Sequence, residues 1–440
     1  MTAPSPSGSH AQGPIAVTGV GVVSSIGRGV ASFAAALRAG RIGVRAVEGP
    51  GPLRVAALLG ELELATEIER VLVACGRRPD ELATRAVRSA ARAQWSVRTG
   101  VAAAFEAWLD AELDRSILAP ERVAVVAVSP PGPAHRDALD ARYRDRLVHA
   151  PPTYALQHLD TELVSTWSEI VGAHGEGFSV GGASASGQTA IVKGAQLVRH
   201  GLADVCIVIA GAAHLGALEI AALANLGALR CDPGSGPPEA ASRPFDRAAA
   251  GFVYGQGAAA LVLESEASAR ARRVATRCTI RGIALCLSGT RAPTPSADAE
   301  ARVMQSALRD AGLDPTDIDY VNAHATSSPL GDQAEAHALG RVFTDHGARP
   351  RVSSTKALMG HCLGSAGALE MIATISQMSD SVLHPQPHLE DPIDPELAFV
   401  ARACERAEVR RAISSSFGFG GIHTTLVLER GAPSHTGGAE

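Results

Sequence analysis

Four short stretches hold side chains whose types and spacing suit chemistry. GGASASGQTAI (181–191) places one hydroxyl, Ser184, in a turn of small residues directly before an apolar helical pattern. NAHATSSPLGD (322–332) sets His324 just past a buried apolar run and follows it with the hydroxyls of Thr326, Ser327 and Ser328. STKALMGHCLGSAGALE (354–370) carries Lys356, His361 and Glu370. SFGFGG (416–421), with Phe417, Phe419 and Gly420, reads as an aromatic–glycine loop before a closing strand. Two His, a Lys and a small hydroxyl make an oxyanion-binding pocket with a polar neighbour. A metal site fits worse, because the two His lie far apart, with no His-x-x-x-His pair and no acidic ligand at helical spacing.

Each stretch also has a plain structural reading. A strand-end His can be a satisfied polar residue, GHCLGSAG a glycine-rich helix start chosen for packing, Lys356 a surface charge and FGFGG a turn. The chemical reading gains weight because each stretch follows a buried strand or opens a helix, where ligand sites of layered α/β folds gather. Cys362 is no substitute nucleophile, since adjacent residues on a strand or helix face different ways.

The elements that must position these groups follow a regular order. IAVTGVGVVSSIG from Ile15 is an apolar run ending in a Gly-punctuated turn, and 32–40 reads as a short helix. Residues 84–115 are Ala-rich with helical spacing, and VAVVAVS (123–129) is a buried strand. Residues 130–177 form an irregular or helical excursion, and buried strands at 203–213 and 257–266 flank a Pro/Gly-rich loop at 231–244. The second half repeats the pattern: a strand near 276–287, helix 298–311, strand 319–327, helix 331–341, a strand near 351–356, helix 364–378 and a last strand HTTLVLER. Buried β-branched runs alternating with helices mean α/β layers. IAGAAHLGA and SSFGFGGIH fall at similar places in the two halves, which fits an ancestral duplication.

Bulk properties agree. A chain of 440 residues exceeds the usual single core, so two domains or a duplicated unit is expected. Hydrophobic residues make up 46% and charged residues 19%, while aromatics are only 4%, so small residues must pack the layers. The net charge of −5 and the absence of a Lys/Arg block argue against nucleic acid as partner. Seven Cys with no CxxC pair read as reduced thiols of a cytoplasmic protein. The opening MTAPSPSGSHAQGP lacks the features of a signal peptide, and no apolar run is long enough to span a membrane. Residues 1–13 and 431–440 read as disordered tails.

Taken together, the motifs resemble the β-ketoacyl-ACP synthases, elongating type, over nearly the whole chain. VTGVGVVSSIG with FAAALRAGRIGV is similar to that family's opening strand and helix. SRPFDRAAAGFVYGQGAAALVLE (242–264) is similar to its RPFD…GFV segment, with Gln256 in place of an acid. YVNAHATSSPLGD, VSSTKALMGHCLGSAGALE and SSFGFGG match its first His, its Lys and second His, and its gating loop. The resemblance implies a thiolase-like α/β fold of five layers, α-β-α-β-α, built from halves at 14–268 (with cap insertions) and 269–430. It implies a homodimer with no cofactor of its own, acting on substrates carried by the phosphopantetheine arm of an acyl carrier protein. It assigns His324 and His361 as hydrogen-bond donors to a thioester oxygen, and Lys356, linked to Glu370, as their electrostatic support. Thr326 and Ser328 match hydroxyls that bind the arm, and Phe417, Phe419 and Gly420 belong to the gating loop.

One position departs from the family pattern. The family has Cys in a TACA[ST]G turn; GASASG puts Ser184 there and Gly182 where Thr is usual. A helix N-terminus stabilises an anion by up to ~2 kcal/mol, or about 1.5 pKa units at ~1.36 kcal/mol each. That brings a thiol near neutrality but not an alcohol, which needs a general base. Condensation should therefore be crippled while the oxyanion donors remain. Such chains resemble the malonyl-ACP decarboxylases of polyketide β-branching cassettes, which supply acetyl-ACP to an HMG-CoA-synthase-like enzyme. Ser184 would then be a spacer or a weak hydrogen-bond donor. Two alternatives stand beside this: a priming acyltransferase with a true Ser184 nucleophile, and a non-catalytic subunit of the chain-length-factor kind, although those usually lose the His pair. A laboratory Cys→Ser trap is disfavoured by the companion changes at Gly181 and Gly182.

Overall fold

The structure is a computed structural model that describes residues 13–128, 132–157 and 159–431. The tails expected to be disordered lie outside the described residues, save Gly13 and Gly431 at their inner ends.

Ten strands form the core. They are β1 (Ile15–Ser24), β2 (Val123–Val128), β3 (Gly177–Ser179), β4 (Val205–Ala210), β5 (Gly257–Ser265), β6 (Cys278–Leu287), β7 (Tyr320–Asn322), β8 (Arg351–Ser353), β9 (Arg411–Gly418) and β10 (Ile422–Arg430). Every residue of β1, β2 and β4 is buried, so these Val/Ile/Ala runs are covered on both faces, as apolar strands without alternation must be. Spatial order is β3-β2-β4-β5-β1 in the first half and β8-β7-β9-β10-β6 in the second, the same path shifted by five strands. The duplication read from the sequence is therefore present in the topology.

Among the helices that cover and separate these strands are α1 (Trp95–Asp110), α2 (Glu162–Val171), α3 (Ser186–Arg199), α4 (Ala297–Ala311), α5 (Pro329–Val342) and α6 (Ala366–Asp380). α1 packs on β1 and β5, and α2 on β2; α4 packs on β6 and β10, with α5 against it. α3 and α6 lie between the two halves and touch strands of both, and Ala366 through Met378 are all buried. This is the expected five-layer arrangement, with one difference. The two β layers are not separate sheets, because β1 pairs antiparallel with β6 at Ile15–Ile280 and joins all ten strands.

Small residues set the layer spacing. A Cβ on Gly19 would lie 2.2 Å from the Ala107 carbonyl and 2.8 Å from the Ala111 Cβ. At the repeat-equivalent place, a Cβ on Gly282 would lie 2.3 Å from the Ala307 carbonyl and 2.9 Å from the Ala311 Cβ. Gly187 and Gly367 play the same part where α3 and α6 meet: a Cβ on either would come within 2.9 Å of the other helix.

Several expected elements are shorter than the sequence pattern predicts, among them the strands read at 203–213 and near 351–356, which span Val205–Ala210 and Arg351–Ser353. The strand read at 319–327 ends at Asn322: the Ala323 N–H still reaches the Ser353 carbonyl, but the N–H groups from His324 onward turn away to buried carboxylates of α5. SFGFGG is not all loop: β9 runs through Gly418, which pairs with Ile422, leaving a turn of Phe419–Gly421 in which both glycines have positive φ. The excursion at 130–177 contains helices at Pro133–Tyr143 and Glu162–Val171; residues 129–131 and 158 lie outside the described residues. Helices at Leu64–Ala74 and Ala217–Asn225 were not singled out from the sequence.

Candidate active site

The residues singled out from the sequence converge from both halves. Ser184 sits in a one-turn 3-10 segment, Ala183–Ala185, that feeds α3. Ala183 is held at φ 49, a left-handed conformation that costs about 1 kcal/mol or more for a residue with a Cβ. The equivalent turn before α6 repeats the feature at Leu363, φ 54. The two turns touch, which brings the Ser184 hydroxyl to the loop that carries His361. Ser184 Oγ and His361 Nε2 lie 2.7 Å apart.

His361 is held by its backbone, whose N–H donates to the Val253 carbonyl at 2.7 Å. Its ring is buried edge-on to Phe252, with centroids 5.2 Å apart, and Nδ1 has no hydrogen-bond partner among the described residues. His324 stands at right angles to it, ring centroids 5.6 Å apart, and packs on Phe417 at 5.5 Å. Lys356, 1% exposed, lies behind His324. Its Nζ donates to the His324 carbonyl at 2.5 Å and forms an ion pair with the buried Glu370. The same Nζ lies 3.5 Å from His324 Nδ1, which favours the tautomer with the ring proton on Nε2. Burial, reinforced by the Lys356 charge, holds both imidazoles well below the usual histidine range, so both are neutral at pH 7. Burial pushes the Glu370 carboxyl up, and Lys356 opposes the shift.

A second layer fixes the His324 loop. Glu335 accepts the N–H groups of His324 (2.8 Å) and Ala325 (2.6 Å), and Asp332 accepts those of Phe245 (2.8 Å), Thr326 (3.0 Å) and Ser328 (3.3 Å). Burial pushes Asp332 to about 7 and Glu335 to about 8 despite these bonds. Sequence reading did not single these two out. Their signal was an acid within the first turns of the helix directly after the His motif.

One cavity of about 690 Å³ is lined by Ser184, His324, His361, Thr326, Ser328, Phe417 and Phe419. Lys356 and Glu370 stand behind it, and Gly420 lies in the turn, off its wall, where Gly421 takes the place. Cys362 is buried and off the cavity wall as well, facing β5, where a Cβ on Gly257 would meet its Sγ at 3.4 Å. Burial pushes its thiol far up, which leaves it unreactive. Phe252, Glu300 and His423 line the cavity without having been singled out.

Two similar halves around a buried His–His–Lys constellation, with a hydroxyl at the tip of a helix-feeding turn, define a ketosynthase-type thiolase-like fold. Residues 12–269 match the family model of the β-ketoacyl synthase N-terminal domain, and 277–390 that of its C-terminal domain. The chain belongs to the β-ketoacyl synthase family, enzymes of fatty acid and polyketide synthesis. It is 35% identical, over 94% of its length and 96% of the relative's, to a protein of Bacillus subtilis named polyketide biosynthesis malonyl-ACP decarboxylase PksF. It is 32% identical, over 94% of its length and 98% of the relative's, to 3-oxoacyl-[acyl-carrier-protein] synthase 2 of Coxiella burnetii. A crystal structure of a β-ketoacyl synthase from Burkholderia phymatum superposes with a TM-score of 0.82 at 29% identity, covering 95% of this chain and 99% of that one. Among the described residues, no helix is long and apolar enough to cross a membrane.

Proposed function

We propose that this enzyme decarboxylates malonyl-ACP to acetyl-ACP, acting as a homodimer and supplying acetyl-ACP to an HMG-CoA-synthase-like partner in polyketide β-branching. The observation that carries this reading is a complete pair of neutral His donors facing a Ser, not a Cys. With the malonyl thioester oxygen held by His324 and His361, departure of CO2 pushes charge onto that oxygen as an enolate. Each preorganised donor contributes about 3–4 kcal/mol to that step. No nucleophile is needed, and the enolate is protonated. Thr326 and Ser328 receive the pantetheine arm, and Phe417 and Phe419 close over the acyl end. The similarity to the Bacillus subtilis decarboxylase supports the reading.

The 2.7 Å approach of Ser184 to His361 favours one alternative, a Ser nucleophile with a His base. Among the described residues it lacks the third group that orients such a base, since His361 Nδ1 has no partner there. The test is intact-protein mass spectrometry of enzyme and carrier after incubation with malonyl-ACP. Conversion to acetyl-ACP with an unmodified enzyme is expected. His324→Ala should slow it about 100-fold or more, while Ser184→Ala should stay within about threefold of the starting enzyme. An acyl mass on the enzyme that Ser184→Ala removes would overturn the reading in favour of the acyltransferase.

A further inference from the structure

Two buried ionisable side chains on the cavity wall have no part in the scheme above. Glu300, in the first turn of α4, is 2% exposed and lines the cavity, and its Oε2 has no hydrogen-bond partner among the described residues. His423, at the start of β10 directly after FGFGG, is 4% exposed and lines the same cavity. Neither of its ring nitrogens has a partner among the described residues, and its ring packs on Phe417, centroids 5.3 Å apart. Asp332 and Glu335 differ from Glu300: backbone N–H groups satisfy both oxygens of each, whereas Glu300 takes a backbone bond from Ser296 that leaves its Oε2 open. A polar atom buried without a partner on a cavity wall is where water or substrate supplies the missing bond.

The charges that act on Glu300 are Glu335 and Asp332 on α5; Cys286 on β6 reaches the carbonyl of the neighbouring Ala299, and His423 on β10 lines the same cavity. On its own helix are Arg302 and Asp298, the latter paired with Arg341. No ion pair to Glu300 forms among the described residues. Burial, with Glu335 and Asp332 adding to it, pushes Glu300 to about 9, so it carries a proton at neutral pH. Burial and Arg302 bring His423 down to about 4, leaving a neutral ring that both donates and accepts.

Decarboxylation needs such a donor. The bond from C2 to the carboxylate breaks, CO2 leaves, and the electron pair becomes the enolate. One proton must then form the new C2–H bond. His324 and His361 hold the enolate oxygen, and losing their protons to carbon would discharge the oxyanion site. Ser184 is too weak an acid. We propose, resting on the decarboxylase reading, that Glu300 is the source of this proton, passing it to C2 through cavity water and regaining one from solvent water along a path past His423.

Glu300→Gln keeps size and hydrogen bonding but has no acidic proton. The experiment measures acetyl-ACP formation between about pH 6 and 10, with His324→Ala as control, and the deuterium fraction of the acetyl methyl formed in an equal mixture of H2O and D2O. The starting enzyme should lose rate as pH rises through about 9. Glu300→Gln should be about tenfold slower or more near neutrality, lack that limb, and give a different deuterium fraction. An unchanged rate, limb and deuterium fraction, with His324→Ala still inactive, would place the proton source elsewhere and leave the decarboxylase standing. A slow Glu300→Gln that keeps the limb and the deuterium fraction would make Glu300 structural and overturn the proposal. Failure of the starting enzyme to form acetyl-ACP would overturn both readings.

Discussion

At the scale of single residues, the site works through neutral groups held in a buried, low-dielectric setting. Lys356 and Glu370 pair beneath His324, so the charge proposed to support the oxyanion does not leave an unpaired ion in the core. The lowered pKa values of His324 and His361 set the sign of the pH response. A group whose pKa lies below its ordinary value stays neutral as pH falls through the usual histidine range. kcat/KM for malonyl-ACP decarboxylation should therefore show no acid limb near 6.5. A pH–rate profile with a limb there would mean that at least one ring titrates normally and is not buried as described. Removing one partner of the ion pair, as in Lys356→Met, should cost about 3–5 kcal/mol of stability, because it strands Glu370. Chemical denaturation would read this as a lowered midpoint.

At the scale of elements, the small residues act as spacers. Gly19→Ala or Gly282→Ala would drive a Cβ to 2.2 or 2.3 Å from a backbone carbonyl of the covering helix. Each should destabilise by about 2–3 kcal/mol, as overpacking does. Gly340→Ala on α5 is the contrast, since its Cβ would meet nothing within 4 Å. It should be stabilising by about 0.5–1 kcal/mol through helix propensity. Thermal melting of the three variants checks both signs. The low aromatic content follows from the same packing: layers this close have room for Gly and Ala where helix crosses strand, not for rings.

At the scale of the whole molecule, the repeat places the site. Shifted by five strands, the two halves meet at α3 and α6, and the proposed catalytic groups lie around the place where the turns before these helices touch. β3 remains a sheet edge with no neighbour on its outer side among the described residues, and the exposed Leu218 and Leu226 belong to the helical segment bordering the cavity. Both features fit the proposed homodimer. Light scattering should give about twice the 45.2 kDa chain mass. A monomer at micromolar concentration would remove that part of the reading.

Much of this molecule was legible in its sequence, because the signals were local. Runs such as VAVVAV can only be strands covered on both faces, Gly and Pro marked the turns, and His324, Lys356, His361 and Ser184 stood in motifs that carry their own context. What depended on distant partners was not legible. The end of the strand at Asn322 is set by carboxylates on the following helix, and the joining of two β layers by pairing between residues as far apart as Ile15 and Ile280. Glu300 and His423 looked like an ordinary helix acid and strand residue, since burial and the loss of partners are properties of a cavity, not of a sequence window. The sequence by itself determined which groups could do chemistry and in what order the layers are built. Only the tertiary structure decided which of them share one cavity, because that follows from long-range packing, and packing is also what shifts their proton affinities.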